Sequence, residues 1–177
     1  MGLLDTIMTA QGDSTANWGR PGRYVIRLAS MRLRDMSEPG ANLDLGNGFR
    51  FSGEVLHCNN GVHNKGDLVS FNDPMRFISS AMAKVRKLLV VAKSSKEGKA
   101  ISEATLGLEQ KAGEDDAAFA ARIKAEAKRL VGPEQPLTGA IVTVIVTGGT
   151  NKTTGKPYSL FDAIQTTEDD LKQAGLI

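Results

Sequence analysis

The sequence predicts a mainly β fold with α: a small five-stranded barrel with a helical insertion between strands 3 and 4. Three observations carry this. Apolar residues alternate along five short segments bounded by Gly, Pro, Asn and Asp. The two segments with helical spacing both fall after the third strand. Strands do not alternate regularly with helices, which disfavours a doubly wound parallel sheet.

Taken in order, residues 1–22 are polar and rich in Gly, Ser, Thr and Asn, and read as a loosely held N-terminal arm. The first strand spans 23–34. Tyr24, Ile26 and Leu28 alternate on one face, and Met31 and Leu33 continue the pattern out of phase, as a β-bulge would make them do. A Pro/Gly/Asn loop over 37–48 leads to a second strand over 49–58. The turn Asn59-Asn60-Gly61 and then Lys65-Gly66 lead to a third, over 67–71. Asn72-Asp73-Pro74 starts a helix carrying Met75, Ile78, Met82, Val85, Leu88 and Leu89 on one face, with its end expected near Lys93. Asp115 and Asp116 cap a second helix, with Phe119, Ile123, Ala127 and Leu130 sharing a face, and Gly132-Pro133 stops it. Strands over 137–146 and 158–165, joined by a turn-forming loop over 148–157, complete the order. An OB-fold carries its helix between strands three and four, so the order reads as a five-stranded OB-like barrel domain over 23–165 with its insertion at 75–132 and a C-terminal tail over 166–177.

Composition bounds the function. The 177 residues are 41% apolar, enough for one domain with a core, and 22 basic against 20 acidic residues leave a net charge of only +2, so any polyanion site must come from the distribution of charge. One cysteine, Cys58, permits no intrachain disulfide, and with only His57 and His63 beside it no zinc cluster can be assembled; no cofactor or metal is expected. The apolar run 140–146 is too short to span a bilayer, and residues 1–10 lack a basic leader, so the expectation is a soluble, cytoplasmic protein with no membrane partner.

The strongest local feature is Arg20, Arg23, Arg27, Arg32 and Arg34, five arginines within a stretch that holds no acidic residue. Guanidinium groups on a barrel wall suit phosphates and unpaired bases; the plainer account is a solvated strand face. Aromatic residues make up 5% of the chain. Phe49, Phe51 and Phe71, with Arg50 flanking, fall on strands two and three, where they are either core or stacking platforms. Trp18 either covers a barrel end or clamps a base. The loop with Lys152 and Lys156, followed by Tyr158, suits backbone phosphates and is equally an ordinary hairpin turn. Lys84, Arg86, Lys87 and Lys93 read as a wet helix surface. No catalytic constellation stands out. Gly148-Gly149-Thr150 with Lys152 lacks P-loop spacing, neither histidine has a nucleophile partner beyond common serines such as Ser30 and Ser70, and the carboxylate pairs Asp115-Asp116 and Asp169-Asp170 suit helix starts.

The run Gly22-Arg23-Tyr24-Val25-Ile26-Arg27-Leu28, the segment 49–56 with Glu54 and Val55, and His63-Asn64-Lys65-Gly66-Asp67-Leu68-Val69-Ser70 resemble bacteriophage single-stranded DNA-binding proteins of OB type. Leu137-Thr138-Gly139, the Val/Ile strand and Gly155-Lys156-Pro157-Tyr158 resemble the paired final strands of those barrels. The matching segments cover about half the chain. The resemblance implies a non-enzymatic protein that binds and protects single-stranded DNA, without regard to sequence, in phage replication or recombination, in a bacterial host's cytoplasm. Two features depart from it: the helical stretch 75–132 is longer than the usual connector, and the tail over 167–177 is only weakly like the acidic, hydrophobic-ended tails that recruit replication or recombination proteins. A short capped terminal helix accounts for that tail equally well.

A competing function is a protein-binding module, such as a phage inhibitor or assembly factor on an OB-like scaffold, with an apolar patch supplied by residues 1–8 or the second helix. A small nucleic-acid-processing enzyme with the insertion as a lid is a third. A homo-oligomer is compatible with any of them.

Overall fold

A computed structural model describes residues 17–34, 48–73, 78–130, 136–155 and 157–177. It is mainly β: one five-stranded antiparallel sheet in the order β3-β2-β1-β4-β5, built from β1 (Gly22–Arg34), β2 (Gly48–Cys58), β3 (Leu68–Asp73), β4 (Ile141–Thr150) and β5 (Pro157–Ile164). Three helices accompany it among the described residues: α1 (Ile78–Glu97), α2 (Asp116–Leu130) and α3 (Glu168–Gln173). The order of strands and helices is the expected one. No ladder joins β3 to β5 among the described residues, so the sheet is open.

The phase slip in β1 is real and has a backbone cause. Pairing with β2 shifts between Leu28 and Ser30, which lets both Leu28 and Met31 turn inward. The backbone around the bulge is satisfied by the approach to β4: Leu28 N donates to Ala140 O, Gly139 N donates to Leu28 O, and the Thr138 hydroxyl donates to Ala29 O. A second shift, between Val25 and Ile26, skips Leu56 on β2, so Val55 enters the main core while Leu56 joins Val25 on the other face.

Rings from four strands meet in that core. Phe51 stacks on Phe71 at 4.9 Å and meets Phe161 edge-on at 5.0 Å, and Phe71 lies edge-on to Tyr24 at 5.4 Å. Rings from β2, β3 and β5 therefore share one interior although β3 and β5 are the sheet's two ends. Helices of the insertion pack on this core. Val85, Leu88, Leu89 and Ala92 of α1 and Ile123 of α2 are buried against the sheet, each leucine contributing about 2 kcal/mol by burial. Helix α1 runs four residues beyond Lys93, to Glu97, and stops at Gly98, whose φ of 65° suits glycine alone at low cost. Asp115 accepts from Ala118 N and caps α2. Met75 lies outside the described residues.

One expected boundary changes. The N-terminal arm does not extend to residue 22: Ser70 N donates to Asn17 O and Gly19 N donates to Ser70 O, so the chain is laid against β3 from residue 17. The C-terminal tail forms a capped helix docked on β1. Thr167 and Asp170 form a reciprocal capping box, Arg23 donates twice to Asp170, and Lys65 donates to Ala174 O. No helix among the described residues is long and apolar enough to cross a membrane.

Candidate functional site

Two of the four β1 arginines, Arg23 and Arg27, have carboxylate partners. Arg23 donates Nε and Nη2 to the two Asp170 oxygens, both at 2.8 Å. Arg27 donates to Glu54 at 2.9 Å, an exposed pair across the β1–β2 ladder. Val25, between them on the same face, is buried against Leu56 and Ala174. The outward face of this half of β1 is thus covered by α3 around Val25, and carboxylates face both arginines. These carboxylates escaped sequence reading because Glu54 and Asp170 are remote from the arginines along the chain. Arg32 and Arg34 lie in the β1–β2 ladder opposite Arg50 and Gly48.

Of the two readings of the phenylalanines, the structure supports the core one. Phe49, Phe51 and Phe71 are all buried and pack on one another, so none presents an open ring face on the sheet surface. Only Phe71 borders a cleft. Lys156 lies outside the described residues. Lys152 is exposed in a turn organised by Asn151, whose side-chain oxygen accepts from Thr153 N and Thr154 N.

The structure gathers the remaining candidates in one place. A cleft of about 330 Å³ opens between the two ends of the sheet, lined by Trp18, Gly19 and Arg20 from the N-terminal segment, Ser70, Phe71 and Asn72 from β3, Val146 from β4, and Tyr158, Ser159, Leu160 and Phe161 from β5. Trp18, Tyr158 and Leu160 are 44%, 48% and 46% exposed, three of the few large apolar side chains left in solvent among the described residues. Arg50 sits 4.6 Å from the centroid of the Trp18 ring, a cation–π pair, and lies opposite Asn72 in the β2–β3 ladder. Among the described residues, no carboxylate lines the cleft.

Its walls are held by local devices. Tyr24 anchors the Arg20 backbone: its hydroxyl donates to Arg20 O at 2.6 Å and accepts from Arg20 N at 2.9 Å and from Asn60 Nδ2 at 2.6 Å. Burial is the main cause that pushes this phenol up to about 12. The glycine pair that fails as a phosphate loop has a steric role. A Cβ on Gly149 would stand 2.6 Å from the Tyr158 ring, and one on Gly148 would stand 2.6 Å from Pro21. Gly19 lets the N-terminal segment lie flat on Phe71, where a Cβ would come within 2.5 Å of the ring. Beyond Val146, β4 has no β1 partner and pairs with β5 alone, so Tyr158 and Leu160 lie on a two-stranded ribbon.

Sequence reading nominated Trp18, Arg20, Arg50, Phe71 and Tyr158 separately and missed Leu160, Asn72 and the two glycines. The available signal was the register of the last hairpin, which sets Gly149 directly across from Tyr158. Among the described residues, no three His, Cys, Asp or Glu side chains converge as a metal site would require. No protein-family model and no curated protein matches the chain.

Proposed function

We propose that this chain binds single-stranded DNA without regard to base order and performs no chemistry on it, in the manner of a phage replication or recombination protein, and that its coiled sheet is an OB-like barrel whose seam lies between β3 and β5. The observation that carries this reading is the cleft: half-exposed aromatic rings from both ends of the chain beside Arg20 and Arg50, with no carboxylate among the described lining residues. Ring faces accept any base by stacking, and guanidinium groups hold phosphates irrespective of sequence. No described element is shaped to enter a major groove as a protruding recognition helix: α1 and α2 pack together on the sheet.

Fluorescence anisotropy with labelled single-stranded and duplex oligonucleotides of equal length tests the reading. Tighter binding of the single strand, similar for thymine-rich and mixed sequences, is expected. The logarithm of affinity should fall with the logarithm of salt by roughly 0.7 per phosphate held. Equal affinity for duplex, or no binding to either, overturns it.

A further inference from the structure

We propose that His63 is a proton-operated latch for the N-terminal segment 17–20. The neutral ring holds Asn17 and keeps the segment against β3; on taking up a proton it lets the segment go. The latch is independent of what the cleft binds, and concerns how the wall that carries Trp18 and Arg20 is kept in place.

His63 lies in the connection between β2 and β3, yet it is only 6% exposed. Its imidazole is tilted 46° against the Tyr24 ring, with 5.8 Å between centroids. Nδ1 lies 3.4 Å from Asn17 Nδ2, an amide nitrogen that donates and does not accept. With the Asn17 amide in this orientation, Nδ1 is the acceptor and the proton of the neutral ring is on Nε2. Nε2 is itself buried without a hydrogen-bond partner, which is uncommon for a polar group in a folded protein.

Asn17 is well placed to transmit the state of the ring. Its carbonyl accepts from Ser70 N at 2.8 Å, and Gly19 N donates to Ser70 O at 2.9 Å. These two backbone bonds and the His63 contact fasten the segment ahead of Arg20, whose own backbone is held by Tyr24 and Asn60. Asn60 Oδ1 also accepts from His63 N, which fixes the loop that carries the ring.

A proton on Nδ1 turns the acceptor into a second donor facing the Asn17 amide donor. The result is a cation with both nitrogens unpaired in a nearly dry site. The groups around it supply no countercharge. The ring meets Tyr24 from β1, with Cys58 of β2 beside that phenol, Asn17 from the N-terminal segment and Asn60 from its own loop. Of the charged residues in that loop, Asp67 accepts from Asn64 N and Lys65 donates to Ala174 O. Among the described residues, no carboxylate bonds the ring. The cation is relieved by turning toward water, and Asn17 must give way for it to do so. Proton uptake therefore accompanies release: the latch is closed at the alkaline end of the histidine range and open at the acid end.

The chain carries one tryptophan and two histidines, which makes the test specific. The full chain is followed from pH 8 to pH 5 by Trp18 emission and by amide exchange at Gly19 and Ser70, corrected for the intrinsic pH dependence of exchange. Protection at both amides should fall roughly 5- to 30-fold toward pH 5, the span for losing one or two net hydrogen bonds. Trp18 emission should move to longer wavelength in step, while protection in β4 stays unchanged. His57→Gln should keep the transition, and His63→Phe and His63→Gln should each abolish it. Asn17→Asp supplies the missing countercharge and should hold the segment closed at pH 5. Three results overturn the latch: a segment indifferent to pH in the wild type, the same transition in a folded His63 variant, or a segment that tightens in acid because the Asn17 amide turns over. No oligonucleotide is present, so this result stands apart from the single-strand test.

Discussion

Replacing Asp170 by alanine breaks the ion pair with the largest sequence separation among the described residues. The carboxylate is 4% exposed and accepts from Arg23 Nε and Nη2, from the Thr143 hydroxyl at 3.1 Å, and from the Thr167 amide and hydroxyl at 2.9 Å each. Breaking a buried pair by removing one partner costs about 3–5 kcal/mol when the other charge is left dry. Here the abandoned Arg23 is 34% exposed and can rehydrate, so the expected loss for Asp170→Ala is about 3 kcal/mol, at the low end of that range. For a chain of this size that lowers Tm by roughly 6–12 °C. Arg23→Ala should cost at least as much, because the group it strands is the nearly dry carboxylate. The double variant should cost less than the two losses added together. Arg23, with the Thr167 and Thr143 donors, holds the Asp170 carboxyl well below the usual carboxylate range against the opposing effect of burial. A depressed folded value means that the contribution is complete above the unfolded value of about 3.9 and fades as pH falls toward the folded one. Wild type and Asp170→Asn should therefore differ most near neutrality and converge in acid. The assay is thermal or urea unfolding across that range. A loss under about 0.5 kcal/mol, the level of an exposed pair, or additive single losses would refute the clamp between α3 and β1.

Two further outcomes follow from buried or networked groups. Tyr24→Phe removes the hydroxyl that ties Arg20 and Asn60 to the core and should destabilise by about 1–3 kcal/mol in urea unfolding; since this phenol titrates near 12 in the fold, wild-type stability should decline as pH rises from about 10 toward that value, and the variant should lack that component. Arg122 binds Glu114 through both carboxylate oxygens and donates to the carbonyls of Gly107 and Glu109, so Arg122→Lys should speed amide exchange across residues 107–114 while leaving protection in β1 and β4 unchanged. Glu114 is held down to about 2, chiefly by Arg122, so wild-type protection of that loop should persist at pH values where an ordinary glutamate is already protonated.

The succession of strands and helices along the chain and the bulge in β1 were legible because both are written locally: alternation sets the faces, and the step from Leu28 to Met31 breaks the phase. The same alternation could not tell a core ring from a surface ring on β2 and β3, because that depends on which face α1 covers. It also could not show that Arg23 and Arg27 have carboxylates waiting across the fold, nor that both faces of β1 are buried at Tyr24 and Val25. The cleft was illegible as a unit because its rings come from opposite ends of the chain and meet only when the sheet coils. Its separate members were nonetheless visible as the scarce aromatic and cationic residues outside regular alternation.

The short run of chain across Ser70 has a consequence for how molecules meet. It takes up the amide and the carbonyl at the middle of β3, on the rim of the sheet where a neighbouring molecule's strand could otherwise dock. Growth of an unlimited ribbon by rim-to-rim addition requires two vacant rims on every molecule, one to receive and one to offer. With the middle of β3 occupied by its own chain, rim-to-rim addition at Ser70 meets a backbone whose donor and acceptor are already used.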